Sequence, residues 1–85
     1  MSALVLGESL IDVIQDADGV ELARNPGGSP LNVGVGLSRL GRITTLITAI
    51  GNDSAADQIK KYCNHANLQI DPRSVFPTTT SLAYA

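Results

Sequence analysis

A short glycine-rich segment holds the clearest candidate for ligand binding. Gly27 and Gly28 would let a ligand contact bare backbone. Ser29 and Pro30 then have the residue types preferred at the N-cap and at the first position of a helix. The first N–H groups of a helix have no intrahelical partner, so they can bind hydroxyls or an anion. Asn32, at the third helical position, is too short to close a capping box, and its amide is therefore predicted to face the ligand.

The same segment has a plainer interpretation, in which the two glycines only make a turn before a helix that packs on a sheet. Gly34 and Gly36 form a G-x-G pair, but they lie inside the predicted helix and lack the third glycine of a dinucleotide-binding fingerprint. The absence of a following Gly-Lys-Ser/Thr argues against a phosphate-binding P-loop. Gly34 and Gly36 are instead predicted to permit close packing of the helix on a sheet. Gly41 is predicted to end the helix in the left-handed conformation.

Asp12 is the second candidate, because it lies between Ile11 and Val13 in an otherwise apolar stretch. A carboxylate in such a stretch must be paired or face a cavity, since burying it alone is costly. One carboxylate can accept hydrogen bonds from two hydroxyls, whereas the amide of Asn32 can both donate and accept. Spacing alone also allows a second interpretation, in which Asp12 is an aspartate at a surface edge.

Apolar strand patterns alternate with helical patterns and predict the elements that position these residues. The first apolar run is continuous, as is typical of a buried central strand. A capping box from Ser54 to Asp57 is predicted to open the second helix. The β-α-β-α-β order predicts a parallel sheet with right-handed crossovers. Strands are predicted at residues 3–6, 43–50 and 68–70, and helices at about 30–40 and 55–65.

A β-hairpin is predicted within residues 13–24, because the turn cluster at 16–19 contains an Asp-Gly pair between two β-rich segments. Pro26 is predicted to end this hairpin. Residues 78–85 are again β-rich and predict a further strand.

Composition narrows the class of protein. Eighty-five residues make one small domain at most, with a marginal core. A net charge of −2 and the lack of a basic patch argue against nucleic acid as a partner. No apolar run is long enough for a signal peptide or a membrane span, so we expect a cytoplasmic protein without a membrane partner.

Cys63 is the only cysteine and is predicted to be a buried thiol, and with His65 it does not make a metal site.

Four motifs follow one another in a characteristic order: Gly7-Glu8-Ser9-Leu10-Ile11-Asp12, the segment Gly27 to Gly41, Ile50-Gly51-Asn52-Asp53, and Thr80-Ser81-Leu82-Ala83-Tyr84. Together they resemble the N-terminal third of a ribokinase/PfkB-family carbohydrate kinase, and their residues are most similar to those of the fructokinases. The resemblance covers nearly all 85 residues. One departure is Ala56, which stands where the family pattern Gly-x-Asp-x-x-Gly has its last glycine, and it affects only a helix start.

The resemblance implies an α/β, ribokinase-like fold in residues 1–85, with a parallel βαβ sheet and a small β lid formed by strands at about 13–24 and 79–85. It implies that Asp12, the backbone of Gly27 and Gly28, and the side chain of Asn32 bind the sugar. ATP and Mg²⁺ would serve the full-length enzyme. The catalytic aspartate, the anion hole and the nucleotide pocket lie in the C-terminal half of the family, so this chain should hold no catalytic residue, metal or cofactor.

Two functions from different classes remain open. In the first, the chain is the sugar-binding N-terminal part of an ATP-dependent carbohydrate kinase and is inactive by itself. In the second, it is a non-catalytic module that associates through its lid strands. A dinucleotide-binding unit is a weaker third alternative, because the glycine spacing is wrong. Unpaired edges of the lid and of the sheet also predict a homodimer.

Overall fold

The computed structural model describes residues 2–84, which form two three-stranded sheets and two helices. A 3₁₀ turn lies at Pro72–Ser74. In chain order the elements are β1 (Ser2–Leu6), β2 (Leu10–Gln15), β3 (Glu21–Gly27), α1 (Ser29–Arg39), β4 (Ile43–Ile47), α2 (Ser54–His65), β5 (Gln69–Ile70) and β6 (Leu82–Tyr84).

The parallel sheet has the strand order β1-β4-β5, and the β-α-β-α-β prediction is confirmed. The expectation that β1 is a buried central strand is wrong, because β1 lies at the edge of this sheet. Leu4 and Leu6 are 61% and 65% exposed, and Ile43 on the neighbouring strand is 64% exposed. These three side chains share one face, which no element of residues 2–84 covers. The continuous apolar run therefore marks a strand with two apolar faces, of which only one is packed.

The mixed sheet has the order β3-β2-β6, with β2 antiparallel to β3 and parallel to β6. The hairpin is confirmed, and its turn is fixed by Asp16, whose Oδ1 accepts hydrogen bonds from the N–H groups of Asp18 and Val20 at 2.9 and 3.0 Å. Pro26 does not end the hairpin: it lies within β3, opposite Ile11. Proline is tolerated there because β3 is an edge strand. The strand predicted at 78–85 is shorter in the structure, and Ala85 lies outside the described residues.

The start of α1 differs by one residue from the prediction. Gly28, not Ser29, is the N-cap residue, and it has a φ of 104° and no side chain to cap the helix. Pro30 and Asn32 therefore lie at the second and fourth helical positions instead of the first and third. The predicted end of the helix is confirmed, because Gly41 has a φ of 87°.

The two glycines within α1 have different environments. A Cβ atom built at Gly34 would lie 3.0 Å from Cδ2 of Leu68, so close packing at this position is confirmed. Gly36 is exposed, and nothing lies within 4 Å of a Cβ built there. The prediction that Gly36 serves packing is therefore wrong.

The start of α2 also differs from the predicted capping box. Asp53 is the N-cap residue, and its Oδ1 accepts a hydrogen bond from the N–H of Ala56 at 2.8 Å. Ser54 is already the first helical residue. The strand before this helix ends at Ile47, earlier than predicted, and Ile50 forms only an isolated bridge to Val75.

One cluster of buried apolar side chains joins the two sheets and the two helices. The inner face of α2 packs into this cluster, since Ala55, Ile59 and Cys63 are all buried. Burial raises the pKa of the Cys63 thiol to about 11, as expected for a structural cysteine. The cluster comprises Ile11, Val13, Leu31, Val35, Leu46, Ile50, Ala55, Ala56, Ile59, Cys63 and Leu68.

Candidate functional site

The candidate site lies where the chain leaves β1 and where α1 begins. In open α/β sheets, ligands bind at the carboxyl ends of the strands, and the segment after β1 lies at such an end. A Cβ atom at Gly28 would lie 2.9 Å from the carbonyl oxygen of Glu8, and a Cβ atom at Gly7 would collide with the Pro30 ring. Gly7 and Gly28 both have positive φ angles. The two segments can therefore approach each other only because glycines stand at both positions.

Asp12 lies on the exposed face of β2. The neighbouring side chains of Ile11 and Val13 are buried, and strand alternation directs Asp12 to the opposite face. Its position in an apolar stretch therefore reflects one buried and one open face and does not indicate a buried charge. Within residues 2–84 the Asp12 carboxylate accepts no hydrogen bond, so its lone pairs are available to a ligand.

Gly27 provides the space beside this carboxylate. A Cβ atom built at Gly27 would collide with Oδ2 of Asp12, although the backbone of Gly27 is not in the left-handed region. Gly27 pairs with Leu10 in the mixed sheet and is followed directly by Gly28, the N-cap of α1. The structure thus brings Asp12, Gly27 and Gly28 together at the first turn of this helix.

Asn32 lies one turn into α1, and its N–H donates to the carbonyl oxygen of Gly28 at 3.0 Å. Its side chain is exposed and makes no hydrogen bond within residues 2–84. Because Gly28 has no capping side chain and the first turn has no acidic residue, the first N–H groups of α1 are also free of side-chain partners. The four predicted site residues therefore lie on three elements: Asp12 on β2, Gly27 at the end of β3, and Gly28 and Asn32 at the start of α1.

Asn25 is a candidate that the sequence analysis did not identify. It is exposed and lies directly opposite Asp12 in the β2–β3 register. Residues paired directly in antiparallel strands point to the same face, with Cβ atoms about 4.5–5.5 Å apart. Asn25 therefore adds an amide next to the Asp12 carboxylate. Only the register of the hairpin reveals it, because thirteen positions separate the two residues in sequence.

A network of buried hydroxyl groups holds the backbone segment after β1, next to the site. Oγ1 of Thr48 donates to Oγ of Ser9 at 2.8 Å, and the N–H of Thr48 donates to Oγ of Ser74 at 3.0 Å. All three side chains are buried. The network joins the segment after β1, the end of β4 and the 3₁₀ turn, so it fixes the backbone on which the site stands. Nothing in the local sequence around these three residues indicates this role.

The comparisons with known proteins assign the family. The sequence profile described as pfkB family carbohydrate kinase matches residues 2–85. The chain belongs to the pfkB family of carbohydrate kinases. The resemblance drawn from the four motifs is thereby confirmed.

Among curated relatives, a fructokinase from Escherichia coli is 43% identical over 49 residues, which cover 58% of this chain and 16% of that protein. An uncharacterized sugar kinase from Pyrococcus horikoshii is 39% identical over 75 residues, which cover 82% of this chain and 24% of the relative. The chain therefore spans about a quarter or less of the length of these relatives.

Solved structures agree with the fold. The fructokinase with bound ATP from Xylella fastidiosa is 29% identical, with a TM-score of 0.84 over 98% of this chain and 28% of that one. A carbohydrate kinase from Agrobacterium tumefaciens is 25% identical, with a TM-score of 0.86 over all of this chain and 31% of that one. The ribokinase-like α/β fold class is thereby confirmed.

Within residues 2–84, no helix has the length and apolar character that a membrane span requires. The same residues contain no group of three or more His, Cys, Asp or Glu side chains placed to hold a metal ion.

Proposed function

We propose that this chain is the sugar-binding N-terminal part of an ATP-dependent carbohydrate kinase that phosphorylates a hydroxyl of fructose or a related sugar. The observation that carries the proposal is the free Asp12 carboxylate, set against Gly27 at the uncapped start of α1. Membership of the carbohydrate kinase family indicates the reaction class. Names among the relatives, several of them fructokinases, favour fructose.

Each site residue has a distinct role in this proposal. The Asp12 carboxylate accepts hydrogen bonds from two sugar hydroxyls, and the Asn32 amide donates to one hydroxyl and accepts from another. The backbone at Gly27 and Gly28 lies against the sugar, because no side chain intervenes. Asn25, beside Asp12, contacts a further hydroxyl.

The mixed sheet acts as the lid in this proposal. Its strand β2 carries Asp12, and its open face carries Asn25. Closure over the sugar excludes water, which otherwise competes with the sugar as the acceptor of the phosphoryl group. Phosphoryl transfer also needs a base and a site for ATP and Mg²⁺. We propose that residues outside this chain supply these groups, so that residues 1–85 alone have no kinase activity.

A non-catalytic, self-associating module is the second candidate. It is favoured by the exposed apolar side chains of Leu22 and Tyr84 in the mixed sheet. Such side chains can pack against a second copy of the chain while the edge strands pair with it through their backbones, and a homodimer through this sheet is part of the proposal.

The two candidates are separated by an assay of the complete protein that contains this chain. ADP release is measured with ATP, Mg²⁺ and a panel of fructose, ribose, glucose and a sugar alcohol. We expect sugar-dependent ADP release, strongest with fructose or a close relative. Release no faster with any sugar than without sugar would contradict the kinase proposal and favour the non-catalytic module.

A further inference from the structure

Asp53 binds two separate parts of the chain with one carboxylate. Its Oδ1 accepts hydrogen bonds from the N–H of Ala56, at 2.8 Å, and from Oγ1 of Thr80, at 2.7 Å. Its Oδ2 accepts from the N–H of Thr80 at 2.8 Å. Capping α2 needs only the bond from Ala56. The two bonds from Thr80 therefore require an explanation beyond the helix start.

Gly51 also bonds to Thr80, and we call the contacts of Gly51 and Asp53 with Thr80 the joint. Its N–H donates to Oγ1 of Thr80 at 3.0 Å, so the Thr80 hydroxyl both donates and accepts. A Cβ atom at Gly51 would collide with the carbonyl oxygen of Thr78 and would lie 3.1 Å from the N–H nitrogen of Thr80. Thr80 is only 6% exposed. The bonds from Thr80 also lower the pKa of the Asp53 carboxyl, consistent with strong, charge-assisted hydrogen bonds.

The joint lies directly before β6, the strand that pairs with β2. The carbonyl oxygen of Ser81 accepts a hydrogen bond from the N–H of Ile11 at 3.0 Å. Ala83 then lies opposite Asp12 in the β2–β6 register. Fixing Thr80 therefore fixes the start of β6. Through β6 it also fixes β2, the strand that carries Asp12, the candidate sugar-binding residue.

We infer that Asp53 is a positioning residue for the sugar site, which holds Thr80 so that β6 keeps β2 and Asp12 in place. This inference rests on the proposed sugar-binding function and adds the device that ties the mixed sheet to the parallel sheet. Asp53 does not touch the sugar in this account. It acts through Thr80, Ser81 and β2.

Four variants of the complete protein distinguish the contact of Asp53 with Thr80 from its role as the N-cap of α2. Asp53→Ser keeps a good N-cap residue, but its short side chain cannot also reach Thr80. Asp53→Asn keeps one acceptor oxygen and loses the acceptor for the Thr80 N–H. Thr80→Val removes the hydroxyl from the other side, whereas the conservative variant Thr80→Ser keeps it.

The readouts are hydrogen exchange followed by mass spectrometry and the separate KM values for sugar and ATP. In Asp53→Ser and Thr80→Val we expect at least about tenfold faster exchange in residues 80–84 and a sugar KM raised about tenfold or more, each tenfold change being about 1.4 kcal/mol. Exchange in β1 and β4 and the KM for ATP should stay unchanged. Asp53→Asn should fall between, and Thr80→Ser should resemble the wild type.

Three results would overturn the inference. Exchange in residues 80–84 that is unchanged, or that rises equally in β1 and β4, would show that Asp53 acts only as a cap or on general stability. Faster exchange in residues 80–84 with an unchanged sugar KM would show that the joint does not position the site. Failure of the proposed function is a different result, because the wild type would then lack sugar-dependent activity.

Discussion

Gly27 and Asp12 act as a pair at the scale of single residues, because the space beside the carboxylate exists only while residue 27 lacks a side chain. Gly27→Ala should displace the Asp12 carboxylate and raise the sugar KM of the complete protein at least about tenfold, the loss of one good hydrogen bond to a charged group. Steady-state kinetics against sugar and ATP measure this effect.

Gly36→Ala is the matched control for Gly27→Ala. The added methyl group is the same, but nothing lies within 4 Å of it and the φ of Gly36 is not positive. Its sugar KM should equal that of the wild type. An unchanged KM in Gly27→Ala, with the fold intact, would show that this space is not part of the site.

Local sequence identifies candidate site residues by their types, but it places the helix starts one residue too late. Asp53 and Ser54 are both good N-cap residues; in the structure Asp53 caps the helix through the N–H of Ala56 and also accepts a hydrogen bond from Thr80, 27 positions away. Asn25 escapes prediction for a similar reason, since its neighbour Asp12 is fixed by hairpin register. Residue types are thus readable from sequence, whereas long-range partners are not.

At the scale of elements, Gly36 within α1 and Gly41 just after its end have opposite conformational demands. Gly41 has a φ of 87° and ends the helix, with its N–H and that of Arg42 bonded to the carbonyl oxygens of Ser38 and Leu37. Gly41→Ala should lower the free energy of unfolding by about 1–2 kcal/mol, because other residues are strained in this region. Gly36→Ala should raise it by about 0.5–1 kcal/mol.

Denaturant unfolding of the complete protein measures both changes. Equal effects of the two substitutions would contradict the structure of this helix. The sequence predicts Gly41 correctly because a helix end has a local signal. It does not predict Gly36, because exposure depends on which face of α1 meets the sheet.

The acid response of the fold can be predicted from two capping carboxylates. Arg73 lowers the pKa of Asp71 from 3.8 to about 2, and hydrogen bonds from Thr80 lower the pKa of Asp53. A carboxyl group with a lowered folded pKa stabilises the fold above its ordinary pKa and loses that contribution as the pH falls. The free energy of unfolding should therefore decrease as the pH falls from 3.8 towards about 2.

Unfolding by denaturant at a series of pH values tests this prediction. The slope should become shallower in Asp71→Asn, which cannot titrate at this position. An identical pH dependence in this variant and the wild type would show that the ion pair of Asp71 with Arg73 does not stabilise the fold.

At the scale of the whole molecule, the order of elements predicts the parallel sheet, but not which strand lies at its edge. Apolar runs of similar character occur in central strands and in edge strands that another segment covers. The uncovered face of Leu4, Leu6 and Ile43 is therefore a result of the structure alone.

A polypeptide consisting of residues 1–85 should self-associate. Within residues 2–84 the edges of both sheets are unpaired and one apolar face of β1 is exposed, and both features favour contact with a second copy. Sedimentation across a concentration series measures this. Leu6→Lys should weaken association through the parallel sheet, and Tyr84→Lys should weaken association through the mixed sheet. A well-folded monomer at high micromolar concentration would contradict the prediction.

The central claim is that Asp12 binds the sugar, and titration calorimetry of the complete protein with its preferred sugar tests it most directly. Asp12→Ala should weaken binding by about 1.5–3 kcal/mol for each hydrogen bond lost, which is roughly 10- to 150-fold. Asp18→Ala is the matched control, because Asp18 is an exposed aspartate in the turn of the same hairpin. It should bind sugar like the wild type. Equal affinities of Asp12→Ala and the wild type would contradict the account.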